Sequence, residues 1–306
     1  MLITVNGAPI ALEAKDSGSL GELLAEADEL LDKAGSIIVS LSVDGEEVDA
    51  EGYARCAGRP NSSVDRVEIR AEDAAAIRMR ALDTLLELLA IAKRSAEDTA
   101  AAEDTAAENS AADWAGLRKG AEDMRDAFSG LFAADELSFV QLFADILERA
   151  GDRPDKASRI ELSAQSDRLA SVFAERLAEL RSPVSEMRGA AAIFDDRSPD
   201  IAEIPILLQT GKEDRAMKTV LFFIEVFNKI IRIIPELRRS GIDTSALAVN
   251  GATMPEFYGS FNDVLRQLTD AFEHKDSVLI GDLAEYEILP RMKSFFAAMR
   301  EALPES

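Results

Sequence analysis

The sequence predicts a small α+β domain at the N-terminus followed by a long all-α helical bundle. Three observations carry this. Residues 2–70 hold short β-type runs around one amphipathic helical stretch, and from Glu72 onward strand signals nearly vanish while Ala, Leu and Glu dominate. The helical stretches are separated by short breaks marked by Gly or Pro, which favours antiparallel neighbours. The expected divisions are a domain over 1–71, an acidic Ala-rich helix or connector over 72–113, and the bundle over 114–306.

In the first part, Leu2 to Asn6 alternates and ends at the turn signal Asn6-Gly7, after which Pro9 to Glu13 resumes as a second short strand. Ser19 is a helix N-cap, and Glu22 completes a capping box. Leu20, Leu23, Leu24, Ala27, Leu30 and Leu31 then recur at helical spacing, closed by Gly35. Ile37 to Val43 reads as a buried strand turned by Asp44-Gly45. An irregular stretch through Gly52, Gly58 and Pro60 follows, then Val64 to Arg70 alternates with Val67 and Ile69 on one face. This order of hairpin, helix, strand, loop and strand resembles the ubiquitin-like β-grasp fold over residues 1–71. In that family, sulfur carriers and conjugated modifiers end in a free Gly-Gly tail. Here Ile69-Arg70-Ala71-Glu72 runs straight into helix, so what the resemblance implies is a docking module.

The helical part begins near Asp73 with Ile77, Ala81, Leu85, Leu88, Leu89 and Ala92 on one face. It runs into the hexapeptide Ala-Glu-Asp-Thr-Ala-Ala from Ala96, repeated from Ala102. A six-residue period does not match an apolar helical stripe, so an exposed helix or connector is expected. Residues 95–113 carry six acidic and no basic side chains, a solvated face or a docking surface for a basic partner. Further helices are expected near 112–131, 135–150, 155–181, 184–194, 212–239, 254–274 and 277–301. Breaks are expected at Gly151 to Pro154, Ser182-Pro183, Asp195 to Pro199 and Ser240-Gly241. Ile160, Leu162, Leu169, Val172, Phe173, Leu177 and Leu180 form the buried side of the 155–181 helix. Phe128, Phe132, Phe139 and Phe143, and Phe222, Phe223 and Phe227, are core stripes. The loop from Gly241 to Thr253 is read as a span across the bundle end.

Composition narrows function. With 57 acidic and 34 basic side chains the net charge is −23, which repels phosphate backbones and anionic lipid, so neither nucleic acid nor a membrane surface is an expected partner. The most apolar stretch, Thr219 to Ile234, is interrupted by Glu225, Asn228, Lys229 and Arg232, and is shorter than the ~20 residues of a membrane span. It reads as a central helix buried almost all round. The N-terminus lacks the basic and apolar regions of a signal peptide. One cysteine, Cys56, and one histidine, His274, exclude an intrachain disulfide and the usual zinc cages, and fit a reduced cytoplasmic setting.

Catalytic constellations are sparse. The densest cluster joins Asp276, Asp282, Glu285, Tyr286 and Glu287. On an α-helix Asp282 and Glu285 share a face, and with Glu287 they are the candidate Mg²⁺ ligands of a metal-dependent hydrolase. Such all-α pyrophosphohydrolases present two acidic pairs, and no second pair is evident. Ion pairing with the seven basic residues between Lys212 and Arg239, against four acidic ones, is the structural reading. Gln209-Thr210-Gly211-Lys212 lacks the first Gly and the Ser/Thr of a phosphate-binding loop. Cys56 reads as a partly buried thiol in a loop beside Arg55 and Arg59, and His274 as a helix-capping residue. Trp114, in acidic Ala-rich surroundings, is the candidate partner-binding residue. The sequence thus points to a non-enzymatic adaptor, chaperone-like protein or scaffold that needs no cofactor and binds protein partners, basic surfaces included. The alternatives are the metal-dependent hydrolase and a structural subunit of a homomeric assembly.

Overall fold

The computed structural model describes residues 1–12, 18–101, 107–128, 130–152, 154–244 and 247–304. It divides into two compact units, Met1–Leu177 and Ala178–Ser306.

The first unit opens with a mixed sheet. Its strands are β1 (Leu2–Val5), β2 (Ala8–Pro9), β3 (Ser36–Val43), β4 (Glu46–Glu47) and β5 (Arg66–Asp73), in the order β2-β1-β5-β3-β4. β1 and β5 pair in parallel, with Leu2 opposite Arg66 and Val5 opposite Ile69; the other pairs are antiparallel. Helix α1 (Leu20–Lys33) starts at the expected capping box: the Glu22 N–H donates to Ser19 Oγ at 3.3 Å and the Ser19 N–H to Glu22 Oε2 at 2.9 Å. The alternation of β5 places Val67, Ile69 and Ala71 on one face against Leu20, Leu23, Leu24, Ala27 and Leu31. Leu30, expected in this core, is exposed, because its position on the helix turns it away from the sheet. The stretch read as irregular contains helix α2 (Ala50–Cys56), capped by Asp49, which accepts from the Gly52 N–H at 2.7 Å. Cys56 is therefore the last residue of a helix and not a loop residue. The expected strand end at Glu13 and the residues 102–106 of the repeat lie outside the described residues.

Helix α3 (Ala74–Ala101) follows β5 directly, the Ala76 N–H donating to Asp73 Oδ1 at 2.7 Å. It packs on α4 (Ala107–Phe128), which packs on α5 (Ala134–Ala150); α6 (Lys156–Arg181) closes the unit through Leu162, Leu169, Phe173 and Leu177. Phe139 meets Phe173 edge-on at 6.4 Å, and Phe132 lies 6.5 Å from the same ring, so the expected aromatic stripe is core; the side chain of Phe128 lies outside the described part. Ile160 is the exception in its stripe and is exposed.

In the second unit α7 (Pro183–Gln209) and α8 (Glu213–Arg239) form an antiparallel hairpin. The Gln209 to Lys212 segment is its turn: Gly211 adopts φ +71° and the Lys212 N–H reaches back to the Leu207 carbonyl at 2.8 Å, the closing bond of a Schellman turn. The break expected at Asp195 to Pro199 does not occur. Pro199 deprives the Asp195 carbonyl of its helical donor, and the Ser198 hydroxyl donates to that carbonyl instead at 3.2 Å, so α7 continues through Pro199 and Pro205. Helix α8 is not buried all round. Phe223, Val226, Phe227, Ile230, Ile233 and Ile234 face the core, while Leu221 is 50% exposed and Ile231 is exposed beside it in the same pattern.

Helix α9 (Met254–Glu273) is entered through a two-residue ribbon, β6 (Ala248–Val249) and β7 (Ala252–Thr253), turned by Asn250-Gly251 at φ +54° and +82°. Asn250 Nδ2 donates to Ser294 Oγ at 3.0 Å, so the loop read as a plain span is a hairpin anchored on the last helix. Helix α10 (Ser277–Asp282), a π-turn (Leu283–Ile288) and α11 (Leu289–Ala302) complete the unit. Its core is aromatic: Phe194 lies 4.9 Å from Phe296, Phe227 lies 4.2 Å from Phe261, and Phe257 stacks on Phe295 at 5.6 Å.

Candidate functional site

The candidate site is the surface built on α10 and the π-turn, where the densest acidic cluster falls. Its geometry starts from Pro290. A proline has no N–H and its ring crowds the carbonyl four residues back, here Tyr286. The chain widens one turn ahead of it, and the Leu289 N–H bonds the Ala284 carbonyl five residues back. The widening also serves the core. Ile280, Ala284, Ile288, Met292 and Phe296 follow one another every four residues, a spacing that drifts around an α-helix of 3.6 residues per turn. One π-turn absorbs that drift and keeps all five side chains inward. Gly281 lets α10 approach α7 closely, since a Cβ there would stand 3.2 Å from Pro205 Cβ and Cγ.

The opposite side of the same segment faces water. Val278 is 72% and Tyr286 63% exposed, with Leu279 also exposed and Asp282 between them at four-residue spacing. Asp276 caps α10 by accepting from the Leu279 N–H at 3.0 Å. Along the same segment Glu273, Asp276 and Asp282 are exposed and Glu285 is half-buried, with one exposed basic side chain, Lys275, among them.

The three candidate metal ligands are not gathered. Widening of the turn takes Asp282 and Glu285 off the common face an α-helix would give them, and Glu287 pairs with Arg291 at 2.5 Å. Among the described residues no three His, Cys, Asp or Glu side chains are grouped to hold a metal ion. Two basic residues of α8 take carboxylates outside this cluster. Arg232 makes a two-bond fork to Glu179 at 2.8 and 2.9 Å, and Lys229 reaches Glu186 at 2.7 Å, all four residues belonging to the second unit. Beneath the π-turn is a small cavity of about 20 Å³ lined by Ile204, Val220, Phe223, Phe261, Ala284 and Ile288, and among the described residues its lining is apolar.

The remaining candidates fall elsewhere. Trp114 is 1% exposed, a core residue of the first unit, so it presents no surface to a partner. His274 caps α9 as expected, Nδ1 donating to the Asp270 carbonyl at 2.8 Å. Cys56 is partly buried, its thiol directed at the Tyr53 carbonyl at 3.6 Å. A second concave surface lies in the first unit beside β3 and α2, with a volume of about 710 Å³ and Val39, Ser40, Val43, Val48, Gly52 and Cys56 in its lining. Sequence reading missed it because its walls come from a strand and a helix separated by a turn. The signal available was the shortness of the Glu46-Glu47 strand beside a long β3.

No described helix is long and apolar enough to cross a membrane. Compared with known protein families, residues 1–72 match the one described as "TP0873 N-terminal domain", and residues 186–297, which include the π-turn surface, match a "Domain of unknown function (DUF8042)". Neither match spans half of the chain. No curated protein and no solved structure matches it. The chain is thus similar to one family over its sheet domain and to another over most of its second unit.

Proposed function

We propose that this is a non-enzymatic, cytoplasmic adaptor or scaffold, chaperone-like in holding a partner without chemistry, with a β-grasp-type N-terminal docking module and a second docking surface on the helical part. The observation that carries the reading is the π-turn surface. Val278, Leu279 and Tyr286 stand exposed on a segment whose Ile280, Leu283, Ala284 and Ile288 are buried, and acidic residues lie among them in the chain. Exposed apolar groups inside a charged rim are the anatomy of an interface centre, and Tyr is a favoured anchor. The rim selects a partner with basic side chains around an apolar patch. The unit that carries this surface is itself acidic: residues 178–306 hold 21 acidic and 15 basic side chains, net −6.

The test is affinity capture from the native cell lysate with the full chain and with a Val278→Ser/Tyr286→Ser variant. The reading expects a partner retained at moderate salt by the parent and lost by the variant, with thermal stability unchanged. A partner retained equally by both refutes the assignment of this surface.

A further inference from the structure

The two ends of β3 are unequally covered. β4 pairs only with Ser42 and Val43, and one further bond, from the Val48 N–H to the Leu41 carbonyl at 2.8 Å, ends its cover. Among the described residues no strand lies beside the outer edge of β3 from Ser36 to Ser40. Edges are ordinarily blunted by Lys, Pro or inward-pointing charges, and Ser36-Ile-Ile-Val-Ser40 contains none. The bulge at Val39, where the register with β5 shifts, keeps the usable strip short, which suits one inserted segment better than an extended sheet. Val39 is 39% exposed and opens onto the concave surface of about 710 Å³ described above. Its lining is mixed: Val43 and Val48 are apolar, Arg59 is held by Asp44 at 2.9 Å, and the three carboxylates Glu46, Glu47 and Asp49 outnumber the basic side chains, with Glu46 and Glu47 exposed where β4 ends.

We propose that this edge takes a short extended segment of a partner protein, added as a strand in line with β4. The segment carries Lys or Arg at some positions and apolar side chains at alternate ones. A row of free backbone groups supplies the pairing, and a pocket that receives every second side chain supplies the selectivity. Charge decides the occupant. Residues 1–71 hold 14 acidic and 6 basic side chains, net −8, so a basic segment is attracted while a second copy of this chain brings the same charge to the same place. The inference rests on the reading of the N-terminal domain as a docking module.

Cys56, the single cysteine, lies in the recess and serves as its reporter. The experiment uses the full chain and measures the rate of Cys56 modification by an aromatic disulfide, together with amide exchange across 36–43. The probes are a capped peptide of alternating Lys and Val, its Glu-Val counterpart, and the Lys-Val peptide with alternate amides N-methylated. The Lys-Val peptide is expected to slow Cys56 modification saturably and to slow exchange over Ser36–Ser40, while the other two do neither. A Glu46→Lys/Glu47→Lys variant, altered only on the exposed rim, is expected to bind the Lys-Val peptide at least about fivefold more weakly. The proposal is overturned if the Lys-Val peptide has no effect, if the N-methylated or Glu-Val peptide acts equally, or if exchange over 36–40 instead slows with protein concentration alone. A chain that ignores the peptide yet holds its cellular partner through Val278 and Tyr286 loses strand addition only. A chain that fails in both assays loses the adaptor reading.

Discussion

Glu136→Gln is the substitution that most directly tests how the first unit is held. Glu136 is 0% exposed, and it draws three elements together: Arg78 of α3 donates to Oε1 at 2.5 Å, Arg176 of α6 stands 3.5 Å from the same oxygen, and the Ala133 N–H donates to Oε2 at 2.9 Å. Glutamine keeps the volume and an acceptor for Ala133 but removes the charge facing two guanidiniums. Breaking a buried pair from one side costs about 3–5 kcal/mol, since the partner is left charged and unpaired. Two features reduce that here. The Arg78 side chain keeps 25% of its exposure, and Arg176 retains Asp135 at 3.6 Å, itself more than half exposed. The expected loss is therefore about 2–4 kcal/mol. Urea unfolding at neutral pH measures it, and Trp114 fluorescence makes the measurement local, because the chain's one tryptophan is buried in the same unit. Replacing both members of the shorter pair, Arg78→Met with Glu136→Met, removes one of the two guanidiniums left facing an uncharged side chain and is expected to recover part of the loss, while Arg176 keeps Asp135 at 3.6 Å. A Glu136→Gln change below about 1 kcal/mol, or a double variant as unstable as the single, refutes the argument that this buried carboxylate is held by its guanidiniums.

Three further outcomes are expected. Gly281→Ala forces a methyl against the rigid Pro205 ring and lowers the stability of the second unit by about 1–3 kcal/mol. Gly189→Ala in α7, where an added Cβ meets nothing within 4 Å, raises it by about 0.5–1 kcal/mol; calorimetry on the two variants gives opposite signs. Asp44 is held below its ordinary value of 3.8 chiefly by the backbone N–H groups of Arg66 and Asp65, with the Arg59 guanidinium adding to them. A depressed carboxyl contributes stability above its ordinary value and loses it as pH falls through the lower folded value. Acid titration from about pH 5 to about pH 2 therefore weakens the parent more than Asp44→Asn, which tolerates the same left-handed backbone.

The sequence by itself determined the type and order of most elements. The capping box at Ser19 and Glu22, the alternation of Val67 and Ile69, and the Gly241 helix end depend on residues a few positions apart, so they are legible without a fold. Asn250-Gly251 carried the same kind of signal, and its hairpin was there to be read. Tertiary structure decided which faces were covered. Trp114 is buried although its neighbours in sequence are acidic, on a helix that packs against α3 and α5. Leu221 and Ile231 are exposed within the most apolar run, because among the described residues of the second unit no element covers that side of α8. The same holds for charge. Glu179 and Glu186, unremarked in sequence, take Arg232 and Lys229, while Asp282, Glu285 and Glu287 are spread by a turn that Pro290 and a four-residue apolar spacing impose together. Local hydrogen bonding and periodicity are written between near neighbours, whereas burial and ion pairing depend on which distant surfaces meet.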